Sequence, residues 1–264
     1  MRGTALAGIS IVGMLLGAVA ARANVPESGS ASTPRERSEG VIDPRADLAL
    51  KRMCNYMASL KSLRVDTTTV DEKVTATGRK IQELKESRVE MQRPNQIAVD
   101  RTGPSGRVLF RYDGKHFVIF SADRNVYAST AAPPTLQAAI DQARDRLGID
   151  APGGDLIVPD AYTALLDGVI EGRYIGLEPV GGVMTHHLAM RKDKTDYQLW
   201  IKDGPEPVPV RYVITSRDMP GAPQFTLELR NFTPNVPLSD SSFAFIPPPG
   251  VRQVAFGSKS GSNL

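Results

Sequence analysis

From residue 63 to residue 232 the sequence is divided at hairpin spacing into short runs rich in Val, Ile, Thr, Tyr and Phe, each bounded by turn residues. No other feature constrains the fold as strongly. Strand-length runs occupy residues 63–71, 79–92, 97–101, 107–112, 116–121 and 125–129, then 174–178, 184–191, 197–202, 210–217 and 225–232. The separators include Asp113-Gly114, Gly181-Gly182, Asp203-Gly204 and Pro220-Gly221, residue types that supply the tight reversals a hairpin needs. A short apolar run can also be a buried helical segment. Here the run length, the β-branched and aromatic content and the turn punctuation favour strand. Residues 79–92 alternate imperfectly, as a partly exposed or bulged strand does. About eleven antiparallel neighbours suit a meander that curls into a barrel or half-barrel, a mainly β (α+β) fold, and residues 243–247 close the domain.

Three segments carry the helical period instead. Asp43 is a good N-cap and Pro44 fits the first turn, where a missing N–H costs nothing. Ala46, Ala49, Leu50, Met53, Met57 and Leu60 follow at spacings of three and four, one apolar stripe. Thr135 can cap a second helix with Leu136, Ala139, Ile140, Ala143 and Leu147 on one face and Gly148 as its stop. A third, short helix is expected at 160–167, ended by Gly168. Stripes of this kind must lie on an apolar surface, and the concave face of the curved sheet supplies one. Met53 and Met57 on the first helix, Leu136 and Ile140 on the second, and His186 and Leu188 on a strand are therefore the candidate cavity residues. For the two methionines ordinary core packing is the commoner role, since Met is also a routine gap-filler.

The ends of the chain bound its location. Arg2, the apolar stretch 5–20 and Ala21-Arg22-Ala23 have the three parts of a cleavable secretory signal peptide. The apolar stretch falls short of the roughly 20 residues that span a bilayer. Residue 24 is Asn where a lipoprotein would carry Cys, so the expected product, cut after Ala23, is a periplasmic protein not integral to the membrane. Residues 24–41 are rich in Ser, Pro, Gly, Arg and Glu and read as a disordered spacer, as does the tail 257–264. One domain is expected at 42–256. Of 32 basic residues, Arg2 and Arg22 leave with the signal, so 30 face 29 acids, and no clustered basic face points to nucleic acid. Cys54, the single cysteine, sits at helical spacing from Leu50 and Met57 and reads as a small buried apolar side chain.

Candidate chemistry is thin. The His186-His187 pair lies on one strand, where successive side chains point to opposite faces. His186 shares its face with Met184, Leu188 and Met190 and is expected inside. His187, with Thr185 and Arg191, is expected toward solvent. Two imidazoles so divided make a poor metal site, and no HExxH spacing exists. Neither G-x-S-x-G, a P-loop nor G-x-G-x-x-G is present. No catalytic residue, metal ligand or cofactor is assigned. Trp200 shares its face with Gln198 and Lys202 and reads as a rim or surface anchor.

Several segments together resemble a known family: Ile42-Asp43-Pro44 with Tyr56-Met57-Ala58-Ser59-Leu60, Arg93-Pro94-Asn95, Tyr112-Asp113-Gly114-Lys115, Asp123-Arg124-Asn125-Val126-Tyr127, the stretch 182–188, Pro220-Gly221-Ala222-Pro223-Gln224-Phe225, and Phe243-Ala244-Phe245 before Pro247-Pro248-Pro249-Gly250. The resemblance, over nearly all of 42–256, is to a domain-of-unknown-function family of predicted periplasmic bacterial proteins. That family is similar in architecture to LolA/LolB-type lipoprotein carriers and to a domain of periplasmic stress-sensing regulators. The resemblance implies an unclosed β-barrel with a helical lid over an apolar cavity that takes acyl chains. Being one of fold, it assigns no residue a role. Three functions follow as expectations. The first is a non-enzymatic carrier or sensor for a hydrophobic ligand or a lipoprotein acyl chain. The second is an interaction module with a fully packed core and an envelope protein partner. The third is a metal-dependent envelope enzyme built around His186.

Overall fold

A single sheet of thirteen strands carries the fold in the computed structural model, which describes residues 41–147 and 152–256. The expected signal peptide, most of the spacer, the Gly148 stop and the tail lie outside the described residues. The chain runs β1 (Val41–Ile42), α1 (Pro44–Ser59), β2 (Ser62–Val74), β3 (Lys80–Gln92), β4 (Gln96–Gly103), β5 (Gly106–Tyr112), β6 (His116–Ser121) and β7 (Val126–Ala131). It continues through α2 (Leu136–Leu147), α3 (Ala161–Leu166), β8 (Val169–Val180), β9 (Val183–Lys192), β10 (Thr195–Lys202), β11 (Pro209–Ser216), β12 (Gln224–Pro234) and β13 (Arg252–Gln253).

The expected strands are β2 to β12, two antiparallel meanders, β2–β7 and β8–β12, joined where β12 pairs with β2 from Phe225 opposite Asp71 to Pro234 opposite Leu63. The sheet curves without closing on itself and is a half-barrel. Two further strands, too short to show a period in the sequence, make it mixed. β1 lies parallel to β8 and β13 parallel to β7, one on each edge. At 243–247, where the domain was expected to close, a 3-10 turn at Asp240–Ser242 delivers a fully buried Phe243. Phe245 then packs on Phe120 and Tyr127, with ring centroids 5.4 and 5.3 Å away.

α1 forms as its sequence dictates. The Asp43 carboxylate accepts from the Arg45 N–H at 2.8 Å, Pro44 occupies the first turn, and Ala46, Ala49, Leu50, Met53, Cys54 and Met57 are buried together. Each fully buried Leu or Met contributes about 2 kcal/mol by leaving water. The helix lies with α3 against β8 and β10, where Leu188, Met190, Leu199 and Ile201 complete the core. α3 is capped by Asp160, whose carboxylate accepts from the Thr163 N–H at 3.1 Å. The concave face of the C-terminal meander is thus filled by helix.

Candidate functional site

The concave face of the N-terminal meander is covered differently. α2 lies over it and presents Leu136, Ala139, Ile140 and Ala143, and the segment from Pro152 to Ile157 runs beside the helix. Two of the four helical side chains end at Cβ, so they cannot reach the sheet to fill the space. A cavity of about 280 Å3 remains. That is close to the lower end of the roughly 300–1,000 Å3 of ordinary ligand sites. Its sheet wall is built by strand alternation: Leu63 and Val65 from β2, Val89 from β3, Ile97 and Val99 from β4, Phe110 and Tyr112 from β5, and Phe117 and Ile119 from β6. Met57 from α1 and Leu227 and Leu229 from β12 close the side toward the seam. A more polar cleft of about 400 Å3, with Lys202, Glu206 and Arg230 on its walls, adjoins it through shared Pro209, Leu229 and Phe232.

Polar groups at this site are few and mostly committed. Tyr112 donates to the Pro133 carbonyl at 2.5 Å, and burial pushes its phenol pKa up. Arg93 donates to three carbonyls at once, Leu60 at 3.2 Å, Met57 at 3.3 Å and Ile157 at 3.1 Å. It ties the end of α1 to the segment beside the cavity. That segment turns at Gly153, whose φ of +90° favours glycine and where a Cβ would fall 2.7 Å from Leu227 Cδ2. Asp155 follows. Its Oδ2 accepts from the Tyr212 hydroxyl at 2.8 Å, while Oδ1 is buried without a partner among the described residues. Burial raises the Asp155 pKa, and the Tyr212 bond opposes the rise.

The six candidate residues divide between the two halves. Met57, Leu136 and Ile140 line the cavity together. Met53 and Leu188 are fully buried in the packed half beside α1. His186 keeps the inward parity expected of it but stands at the rim, not in the apolar interior. Its Nδ1 is 2.9 Å from the Tyr174 hydroxyl and its Nε2 3.0 Å from Asp203 Oδ1. The phenol donating to Nδ1 and Nε2–H donating to the carboxylate satisfies all three groups. His187 is not turned to solvent as expected: it is 9% exposed. Its ring stacks on Trp200 with centroids 4.1 Å apart, its Nδ1 lies 3.0 Å from Glu178, and its Nε2 lies 3.0 Å from Gln198 Oε1. Arg211 covers the same indole, so the side of the sheet expected to be a polar exterior holds a buried cation–aromatic layer there.

Cys54 is buried and its thiol pKa is pushed up to about 12 by burial, so it stays protonated and inert. Among the described residues no three His, Cys, Asp or Glu side chains cluster in a way that could hold a metal ion. The residue that composition and spacing did not single out is Arg101, which lines the cavity. Its inward position follows from the alternation Ile97, Val99, Arg101, but a charge at the end of such a row reads as the strand leaving the core.

Among solved structures, the lipoprotein LppX of Mycobacterium tuberculosis matches with 16% identity over 75% of this chain and 98% of its own, at a TM-score of 0.48. LprF of Mycobacterium bovis matches with 16% identity over 76% and 97%, at 0.47. A LolA superfamily protein of Nitrosomonas europaea matches with 13% identity over 76% and 97%, at 0.39. No curated protein matches the sequence. No helix among the described residues is long and apolar enough to cross a membrane. The family model described as "Predicted periplasmic protein (DUF2092)" matches residues 46–257. With four-fifths of its length inside that match, the chain belongs to the DUF2092 family of predicted periplasmic proteins.

Proposed function

We propose that the protein is a non-enzymatic periplasmic carrier or sensor that holds a lipid or acyl chain in the half-barrel, in contact with Met57, Leu136 and Ile140. The observation that carries this reading is the unfilled apolar cavity under α2. A fold that needed only a packed core would close such a space, because an unfilled volume forfeits the dispersion contacts its walls would otherwise make. The void favours a ligand over an interaction module whose interior is occupied by its own side chains. In this reading residues 1–23 are removed after Ala23 and the remainder works free of the membrane.

The test is native mass spectrometry of protein purified from the envelope, followed by solvent extraction of what it carries. A mass excess that extraction removes as an acyl-chain compound is the expected result. Ala139→Phe, which places a ring where the cavity lies, should lower that occupancy several-fold with the fold intact by circular dichroism. Wild-type protein without bound lipid, and without uptake of any long-chain amphiphile, would sink the proposal.

A further inference from the structure

On β2, β3 and β4 the apolar wall of the cavity stops partway along the strands, and it stops at the same level on all three. In register, Leu63, Met91 and Ile97 form one row across β2, β3 and β4, and Val65, Val89 and Val99 form the next inward row. The following inward row is Thr67, Ser87 and Arg101. On these three strands aliphatic side chains give way to hydroxyls and a cation in a single step, while Leu229 on β12 and Val108 on β5 keep the two ends of that row apolar, so the cavity has an apolar body and a polar strip around Arg101.

Among the described residues, Arg101 is the one charged side chain in the lining. Among the described residues it makes no hydrogen bond and no ion pair. The carboxylate with an electrostatic hold on it is Asp71, and that carboxylate is already engaged by Lys85. The Lys85 stem passes over Gly103, where a Cβ would fall 2.8 Å from its Cγ, so the sequence keeps this position open for the lysine. Asp71 is thus taken by Lys85, and Arg101 is left without a paired anion among the described residues beside an apolar cavity. A guanidinium in such a wall stays charged and presents five N–H donors. Leaving them unpaired in a partly desolvated place is unfavourable, and a carboxylate or phosphate can take two at once.

We infer that the ligand is an anionic amphiphile, its hydrocarbon chain in the apolar body of the cavity and its carboxylate or phosphate head on Arg101. The inference rests on the acyl-chain reading above and adds the class of head group. It requires that a neutral compound of the same chain length bind more weakly. It also requires that a small anion without a chain bind poorly.

Displacement of the neutral fluorophore N-phenyl-1-naphthylamine from the purified protein tests this with decanoate, decyl phosphate, decanol, acetate and inorganic phosphate. At least one of the two decyl anions should displace the probe about 10- to 100-fold more effectively than decanol, the range expected of one charge-assisted contact. Which anion does so identifies the head. Arg101→Met should reduce that anion to the level of decanol and leave decanol unchanged, whereas Arg101→Lys should keep much of the preference. Equal displacement by decanoate, decyl phosphate and decanol, unaltered in Arg101→Met, would overturn the head-group inference while the carrier reading stands. Inorganic phosphate matching decyl phosphate would overturn it too, by making Arg101 a free-anion site. Failure of the probe and every decyl compound to bind would overturn both.

Discussion

Asp155 carries the clearest single-residue consequence. Burial raises its folded pKa above the ordinary 3.8, so the native state binds this proton more tightly than the unfolded chain does. For an acid shifted in that direction, the stabilising contribution is present below the ordinary pKa and is lost as pH rises through the folded value. At neutral pH the carboxylate is therefore a cost, and its Oδ1 has no partner among the described residues to offset it. Asp155→Asn keeps an oxygen for the Tyr212 hydroxyl and removes the charge. It should melt a few degrees higher than wild type at neutral pH, given about 1–3 kcal/mol for a buried unpaired polar group. The gap should close as pH falls toward the folded pKa. Thermal denaturation of both proteins across that range checks the prediction, and a lower-melting Asn variant with a constant gap would refute it. None of this was legible in the sequence, where Asp155 is one acid among many. The histidine pair shows the complementary limit. Strand alternation assigned His186 and His187 to opposite faces correctly. The choice of side rested on Met184, Leu188 and Met190; the last two are buried, whereas Met184 is 48% exposed because its row has left the core by the tip of the β8–β9 hairpin.

Elements were more readable than residues because each carries its period many times over. The stripe of α1 predicted its buried face. Leu50→Ala should accordingly cost about 3 kcal/mol through the cavity it leaves, whereas exposed Leu48→Ala should stay within about 0.5 kcal/mol. Urea unfolding monitored by circular dichroism distinguishes the two, and equal losses would mean that α1 does not dock as described. The strands β2 to β12 were legible for the same reason. β1 and β13 were not, since two residues cannot display a period. The lid on the cavity lies between these cases. The face of α2 was evident, but small residues such as Ala139 and Ala143 serve equally for close helix approach and for leaving a void, and only the sheet beneath decides. Arg93 likewise looked like a turn residue beside Pro94. Its three-carbonyl tie becomes visible only once α1 and the 152–157 segment are brought to it.

At the scale of the molecule, the two outermost strands cap the two edges of the open sheet: β1 covers β8 and β13 covers β7. An uncovered edge presents a row of unpaired N–H and C=O groups to any passing strand. Removing residues 252–264 should free the edge of β7 and convert monomer into dimer or larger species, read by size-exclusion chromatography with light scattering. A truncated chain that stays monomeric and equally stable would show that β13 is dispensable. The seam between the meanders has a different consequence, one of timing. β2 meets β12 only after some 150 intervening residues have been added, so a chain that emerges N-terminus first from synthesis can form its early hairpins but cannot join its two halves. Long-range pairing of this kind is slow to form. Because the pairing lies at the middle of the sheet, the β2 edge of the first meander stays open until β12 arrives.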